Sequence, residues 1–272
     1  MRPAHFALIF TLCFACSAAV RADMPNNMAG ALWQFEIAND SPNGWTFSDA
    51  YETHAMSISK HTGAGWFGLT AALVAPKRPK SVADNWTANR AFGELLTGEF
   101  RFLQRKVGQW DWYSGGAVTI IGSFGLDSVQ EEVHSLLGYD SMRNDLENVR
   151  MDDAVLVSAL VDFRRALPSN WQLDAGFEFG TRRNATGIKI SKISNCSSFA
   201  WHYHAKLELI ANDEVVAAAP VNADIRHIVP TLGLGACFLW RGFPIQISEE
   251  ISLPRIRADD KAFPMVRLRV AF

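Results

Sequence analysis

Gln130 and His134, four residues apart, are the side chains of this sequence best spaced to do chemistry together. A histidine near its ordinary pKa of about 6.5 can take a proton from water at neutral pH. Residues four apart share one face of a helix, and the surrounding stretch, GSFGLDSVQEEVHSLLG from Gly122 to Gly138, carries helix signals. Ser128 and Glu131 have the spacing of a capping box, and Gly138 suits the left-handed residue that ends a helix. Val129, Val133, Leu136 and Leu137 form an apolar stripe beside Gln130 and His134. So short a helix is marginal alone, so this stripe must dock on a larger body.

That body reads as β. Alternating segments bounded by turn residues predict strands at Ala31 to Ala38, Thr53 to Lys60, Gly65 to Leu73, Ala91 to Lys106, Trp112 to Gly122 and Asp152 to Arg165. The second half adds Trp171 to Gly180, Phe199 to Ala211, Val215 to Ala219, His227 to Leu239, Phe243 to Ile251 and Phe263 to Phe272. In the last of these, Val266, Leu268, Val270 and Phe272 share one face while Arg267 and Arg269 share the other. Apolar outside, polar inside is the pattern of a transmembrane barrel, and twelve is an even number, as closure with both ends on the periplasmic side requires.

Connection lengths agree with this parity. Those expected in the periplasm are short: His61 to Ala64, Gly108 to Asp111, Ala166 to Asn170, Asn212 to Glu214 and Trp240 to Gly242. Those expected outside are mostly longer: Asn39 to Glu52, Val74 to Arg90, Ser123 to Met151, Thr181 to Ser198, and the segments around Asn222 and Asp259. The expectation is therefore an all-β, antiparallel up-and-down transmembrane barrel of about twelve strands, with a short helix in one extracellular loop.

The N-terminus supports an exported protein. Arg2, the apolar run from Phe6 to Val20 and Val-Arg-Ala before Asp23 match a secretory signal peptide spanning residues 1–22, leaving 23–272 as one outer-membrane barrel domain. No later run is long and apolar enough for a helical span. The balance of 26 basic and 28 acidic residues carries no footprint for nucleic acid. Cys196 and Cys237 survive cleavage and read more simply as two separate small apolar residues than as a disulfide.

Parity brings Asn39-Asp40, Thr53, the Lys77-Arg78-Pro79-Lys80 loop and the Gln130/His134 helix to the same extracellular rim. Taken singly, Asn39-Asp40 reads as a turn at a strand end, and the basic cluster as a solvated loop. Together with Ala38-Asn39-Asp40, Asp49 through Ala55 and Asn89-Arg90-Ala91-Phe92, the Gln-x3-His-x3-Gly segment resembles the calcium-dependent lipid A 3′-O-deacylases of Gram-negative outer membranes. The resemblance is dispersed but collinear over most of the chain. It implies a twelve-stranded barrel, monomeric, whose active site lies between the wall and an extracellular-loop helix, with lipid A as substrate.

By position, the resemblance makes His134 the general base, Gln130 its neighbour one turn earlier, Thr53 the strand-two threonine, and Asn39 and Asp40 the polar pair at the reaction centre and metal. It implies Ca²⁺ bound through Asp40 and Asp140. The chain departs from the family at three places. Asp140 stands where a glutamate is expected, Glu52 and Ala55 replace a tyrosine and a glycine, and Lys77, Arg78 and Lys80 compete for one lysine, with Arg78 taken as its equivalent. Arg182, Arg183 and Lys189, read as a fourth outer loop, would either meet lipopolysaccharide phosphates or only keep a loop soluble.

Three other readings compete. One is a serine-dependent lipid hydrolase, for which no Asn-x-His-x-Ser arrangement exists: His202-Tyr203-His204-Ala205 lacks the serine. Another is a pore or structural barrel with the helix as a plug. The third is an inactive relative of the deacylases.

Overall fold

The computed structural model describes residues 32–40, 54–62, 64–74, 92–125, 128, 150–192, 199–215, 224–253 and 263–272. They form twelve antiparallel strands: β1 (Leu32–Asp40), β2 (His54–Thr62), β3 (Gly65–Val74), β4 (Gly93–Val107), β5 (Trp110–Gly122) and β6 (Ala154–Leu167), then β7 (Trp171–Gly180), β8 (Arg183–Lys192), β9 (Phe199–Asp213), β10 (Ile228–Trp240), β11 (Phe243–Ser252) and β12 (Phe263–Ala271). Each strand pairs with its sequence neighbours and β1 pairs with β12, so the sheet closes into a barrel. Closure removes every free edge, the condition for a sheet in lipid. At the seam Trp33 and Phe272 exchange backbone hydrogen bonds, N–H to C=O, of 2.8 Å each.

Alternation sorts the side chains cleanly. Along β10, Leu232 and Leu234 are exposed on the outer wall while Val229, Thr231 and Cys237 are buried inside. Exposed aromatics, among them Phe199, Trp201 and Trp240, stand on the outer surface at the rim of short turns, where a girdle meets the membrane interface. One of these turns shows why it is tight. Arg241 and Gly242 both have positive φ, 51° and 87°, as expected of the two-residue hairpin turn that matches strand twist.

The interior is polar and cross-braced. Glu36 accepts from Arg267 at 2.7 Å and from Arg269 at 2.6 Å, tying the first strand to the last. Arg267 also meets Glu250 at 3.0 Å, and Gln246 contacts His202 at 3.0 Å. On the wall from β4 to β6, Arg101 pairs with Glu99 on its own strand and with Asp162 two strands away. Arg164 pairs with Asp174 at 2.9 Å and Arg183 with Glu208 at 2.9 Å. Charges of both signs thus satisfy each other inside a shell whose outside is apolar.

Two expected elements are corrected. The outer loop expected over Thr181 to Ser198 gives way to a tight turn at Thr181-Arg182 and the strand β8 at Arg183–Lys192, and residues 193–198 lie outside the described residues. Its charges resemble those of a loop because the lumen accepts them, with Gly187, Lys189 and Ser191 alternating with Thr186, Ile188 and Ile190. Arg182 bonds Glu178 at 2.7 Å, and Arg183 and Lys189 belong to the wall, so none forms an outer-loop phosphate cluster. Conversely, of the strand expected over Val215 to Ala219 only Val215 lies among the described residues, and β9 pairs directly with β10 with no strand between them. Val215 lies in a turn and packs into an apolar cluster, and Asn212 to Glu214 close β9 at the rim of long connections rather than in the periplasm. The two errors cancel, so the twelve-strand count and the later parity hold.

Cys237 is also corrected. It is disulfide-bonded and buried in β10, not an isolated apolar residue.

Candidate active site at the long-loop rim

The register of five strands builds the site. Asn39 pairs with His54, His54 with Leu73, Leu73 with Glu94, and Glu94 with Gly122. These five residues form one lateral row across β1 to β5. The row therefore runs from the Asn39-Asp40 end of β1, past the first residue of β2, to the last residue of β5, where the segment containing Gln130 and His134 leaves the wall.

One residue below lies a second row: Ala38, Ala55, Ala72, Leu95 and Ile121, paired in the same order. It belongs to the inward set of side chains. With Val74, Met151 and Val215 it forms a buried apolar layer across the mouth of the barrel. Small side chains from β1 to β3 and larger ones from β4 and β5 fill this layer, and Met151 inserts from the far stem of the long connection.

The upper row belongs to the outward set, and its described side chains are nevertheless covered. On β4, Phe100 and Phe102 are 43 % and 53 % exposed, whereas Glu94, on the same face, is 0 % exposed. On β3, Leu69 is 46 % exposed and Leu73 only 1 %. An outward carboxylate with no exposed surface requires compensating partners. The Phe124 N–H donates to Glu94 Oε2 at 2.5 Å, and the Arg150 guanidinium lies 3.7 Å from Oε1. Arg150 also donates to Ser123 Oγ. Met151 N–H donates to the Phe92 carbonyl at 2.7 Å, in a parallel bridge between Phe92 and Arg150. Both stems of the long connection are thus fastened to the start of β4.

Of the residues singled out from sequence, Asn39 and Asp40 occupy the last two positions of β1, paired with Val266 and Met265 on β12. Thr53 immediately precedes His54 but lies outside the described residues, as do Arg78, Lys77, Lys80, Gln130, His134 and Asp140. Ser128, the expected cap, is helical. Sequence reasoning did not single out Glu94. The available signal was a carboxylate in the outward set of β4, which otherwise carries Leu96, Gly98, Phe100 and Phe102.

Away from this rim, a cavity of ≈ 230 Å³ opens inside the barrel, lined by Gln34, Glu36, Ser59, His61, Trp66 and Glu99 among others. Ser59 Oγ lies 3.2 Å from His61 Nε2. Trp66 stacks on His61 at 5.9 Å and carries the Arg101 guanidinium 4.7 Å from its ring, so both partners fill the space beside the indole. Among the described residues no group of three or more His, Cys, Asp or Glu side chains is arranged to hold a metal.

No family model and no curated protein sequence matches the chain. Solved structures do. The fold is similar to that of LpxR from Salmonella typhimurium, with 12% sequence identity, a TM-score of 0.68, and coverage of 89% of this chain and 99% of that one. Lower likeness extends to the NanC porin, at 9% identity and TM-score 0.49 over 88% of this chain and 98% of that one. It extends also to the KdgM porin, at 8% identity and TM-score 0.46 over 89% and 98%. The closed twelve-strand wall, its apolar outside, its polar inside and the fold shared with LpxR make the chain an outer-membrane β-barrel.

Proposed function

We propose that this barrel is an outer-membrane hydrolase that removes the 3′-linked acyl or acyloxyacyl chain of lipid A. The observation that carries the reading is the row from Asn39 to Gly122. It aligns the β1 end that bears Asn39 with the departure point of the segment that bears Gln130 and His134, on a stretch of outer wall that is covered rather than bare. The motifs shared with the lipid A 3′-O-deacylases give the row its chemical meaning. A site at the outer rim, on the lipid side of the wall, can receive an acyl chain without extracting the whole molecule from the leaflet.

In this reading His134 removes the proton from the attacking water. Gln130, Asn39 and Thr53 orient the ester and the water, and Arg78 meets the anionic head of the substrate. Asp40 and Asp140 are hard oxygen donors of the kind Ca²⁺ prefers, and would hold it. A bound Ca²⁺ would supply Lewis-acid stabilisation of charge developing on the ester oxygen.

Mass spectrometry of lipid A incubated with refolded protein, in Ca²⁺ or EDTA, tests this reading. Loss of a 3′-linked acyl mass with the wild type and not with His134→Ala is the expected result. No mass change with a folded barrel would overturn it. A pore is the second reading, favoured by the polar lining of the lumen, and ion conductance across planar bilayers without ester hydrolysis would select it.

A further inference from the structure

We infer that Glu94 is a positioning residue: through one carboxylate at the rim of β4 it fastens both stems of the 123–153 connection, and the activity proposed for Gln130 and His134, which that connection carries, depends on this fastening. This inference rests on the hydrolase reading for its catalytic consequence, but the clamp itself follows from the contacts alone.

Glu94 holds the leaving stem through the Phe124 N–H at 2.5 Å and the returning stem through Arg150 at 3.7 Å. Arg150 reaches Ser123 as well, so the two stems are also tied to each other. The geometry leaves Arg150 on the outer side with Glu94, and Met151, the next residue, seated in the apolar layer of the mouth. Gly93 makes that seat. A Cβ there would lie 2.6 Å from the Met151 sulfur, so the absence of a side chain lets the stem close down beside Glu94. A carboxylate this buried is stabilised only while its partners stay in place, so Glu94 and the two stems hold one another.

The clamp is placed to act on catalysis by position. A base misplaced by about an ångström costs on the order of 100-fold in rate, and Glu94 shares its row with Asn39 through three intervening strand pairs. Removing the carboxylate unfastens both stems and leaves the groups proposed to react chemically unaltered.

The test compares wild type, Glu94→Gln, Glu94→Ala and Arg150→Met in refolded protein whose barrel is intact by its heat-dependent shift in electrophoresis. Two readouts are taken: tryptic cleavage at Arg143 within the connection, and kcat and KM for lipid A deacylation across pH. Glu94→Ala should speed cleavage at Arg143, lower kcat about 100-fold and leave KM and the pH profile unchanged. Glu94→Gln, whose amide oxygen still accepts from Phe124, should recover most of the loss, and Arg150→Met should fall between. Unchanged cleavage and unchanged kcat in Glu94→Ala would overturn the clamp, as would a shifted pH profile, which would make Glu94 part of the proton transfer. Faster cleavage in a barrel whose wild type shows no deacylation would uphold the clamp and reject the hydrolase reading instead.

Discussion

Glu36 and Arg269 meet at 2.6 Å across the seam between the first and last strands, and Arg267 reaches the same carboxylate. The pairing is electrostatic closure added to the backbone ladder, and its loss leaves two lumenal guanidinium groups without their shared anion. Breaking a buried pair from one side typically costs about 3–5 kcal/mol. The Arg269 side chain is 36% exposed and remains partly hydrated, so Glu36→Ala should destabilise the barrel by roughly 2–3 kcal/mol. Urea unfolding in lipid vesicles, followed by tryptophan fluorescence, would show it. Arg269→Ala should cost less, because Arg267 still pairs with Glu36.

Much of the barrel was legible in the residues. Alternation in the last ten residues correctly divides Arg267 and Arg269 from Val266, Leu268 and Val270, because in a barrel the two faces meet opposite solvents. β8 was not legible for a related reason. Arg183, Lys189 and Lys192 look like a solvated loop until Glu208 and Asp213 are seen to receive Arg183 inside the wall. Charge signals a loop only when no lumen is there to neutralise it. The attachment points of the candidate site were foreseen at one rim from parity, but the alignment of Asn39 with Glu94 and Gly122 depends on strand register, which pairing across five strands determines. Glu94 escaped notice because its burial is imposed by a segment distant in sequence.

The lumen offers a second prediction. Arg101 joins Glu99 and Asp162, spanning from β4 toward β6, and packs 4.7 Å from the Trp66 ring. This brace and the apolar layer around Leu95 and Met151 are expected to narrow the path of hydrated ions. Wild type in planar bilayers should therefore give almost no steady conductance. Arg101→Ala should raise it by widening the lumen beside Glu99, and Arg101→Ala combined with Met151→Ala should raise it further. Large, stable wild-type channels would contradict the cross-braced lumen and favour the pore.

The apolar layer at the mouth supplies a third. Met151 is 5 % exposed and packs with Leu95, Ile121 and Val74. Truncating a buried methionine generally costs about 2–5 kcal/mol. At a rim open on one side, Met151→Ala should fall near the lower figure, about 2 kcal/mol. Gly93→Val should be at least as harmful, since even one added carbon meets the Met151 sulfur at 2.6 Å, and overpacking costs about 1–3 kcal/mol. Denaturation midpoints of the two variants, and of their combination, would separate these effects. If the collision is the cause, Gly93→Val should cost much less when Met151 is already alanine.

The proposed metal requirement gives the most discriminating prediction, because the chain differs from the deacylase pattern at one of its two expected donors. Asp140 is a methylene shorter than glutamate, and Ca²⁺ accepts either carboxylate at about 2.3–2.6 Å provided the backbone brings it close enough. Deacylation should vanish in EDTA and return on adding Ca²⁺. Asp40→Asn and Asp140→Asn should each raise the Ca²⁺ concentration for half-maximal activity by at least tenfold, with little loss of rate at saturation. Asp140→Glu should lower that concentration, since the longer side chain restores the expected reach. The measurement is a Ca²⁺ titration of deacylation for the four proteins, paired with Ca²⁺ binding followed calorimetrically. Equal Ca²⁺ dependence in wild type and Asp140→Asn would remove Asp140 from the site and leave Asp40 to be matched with another oxygen donor from the outer loops.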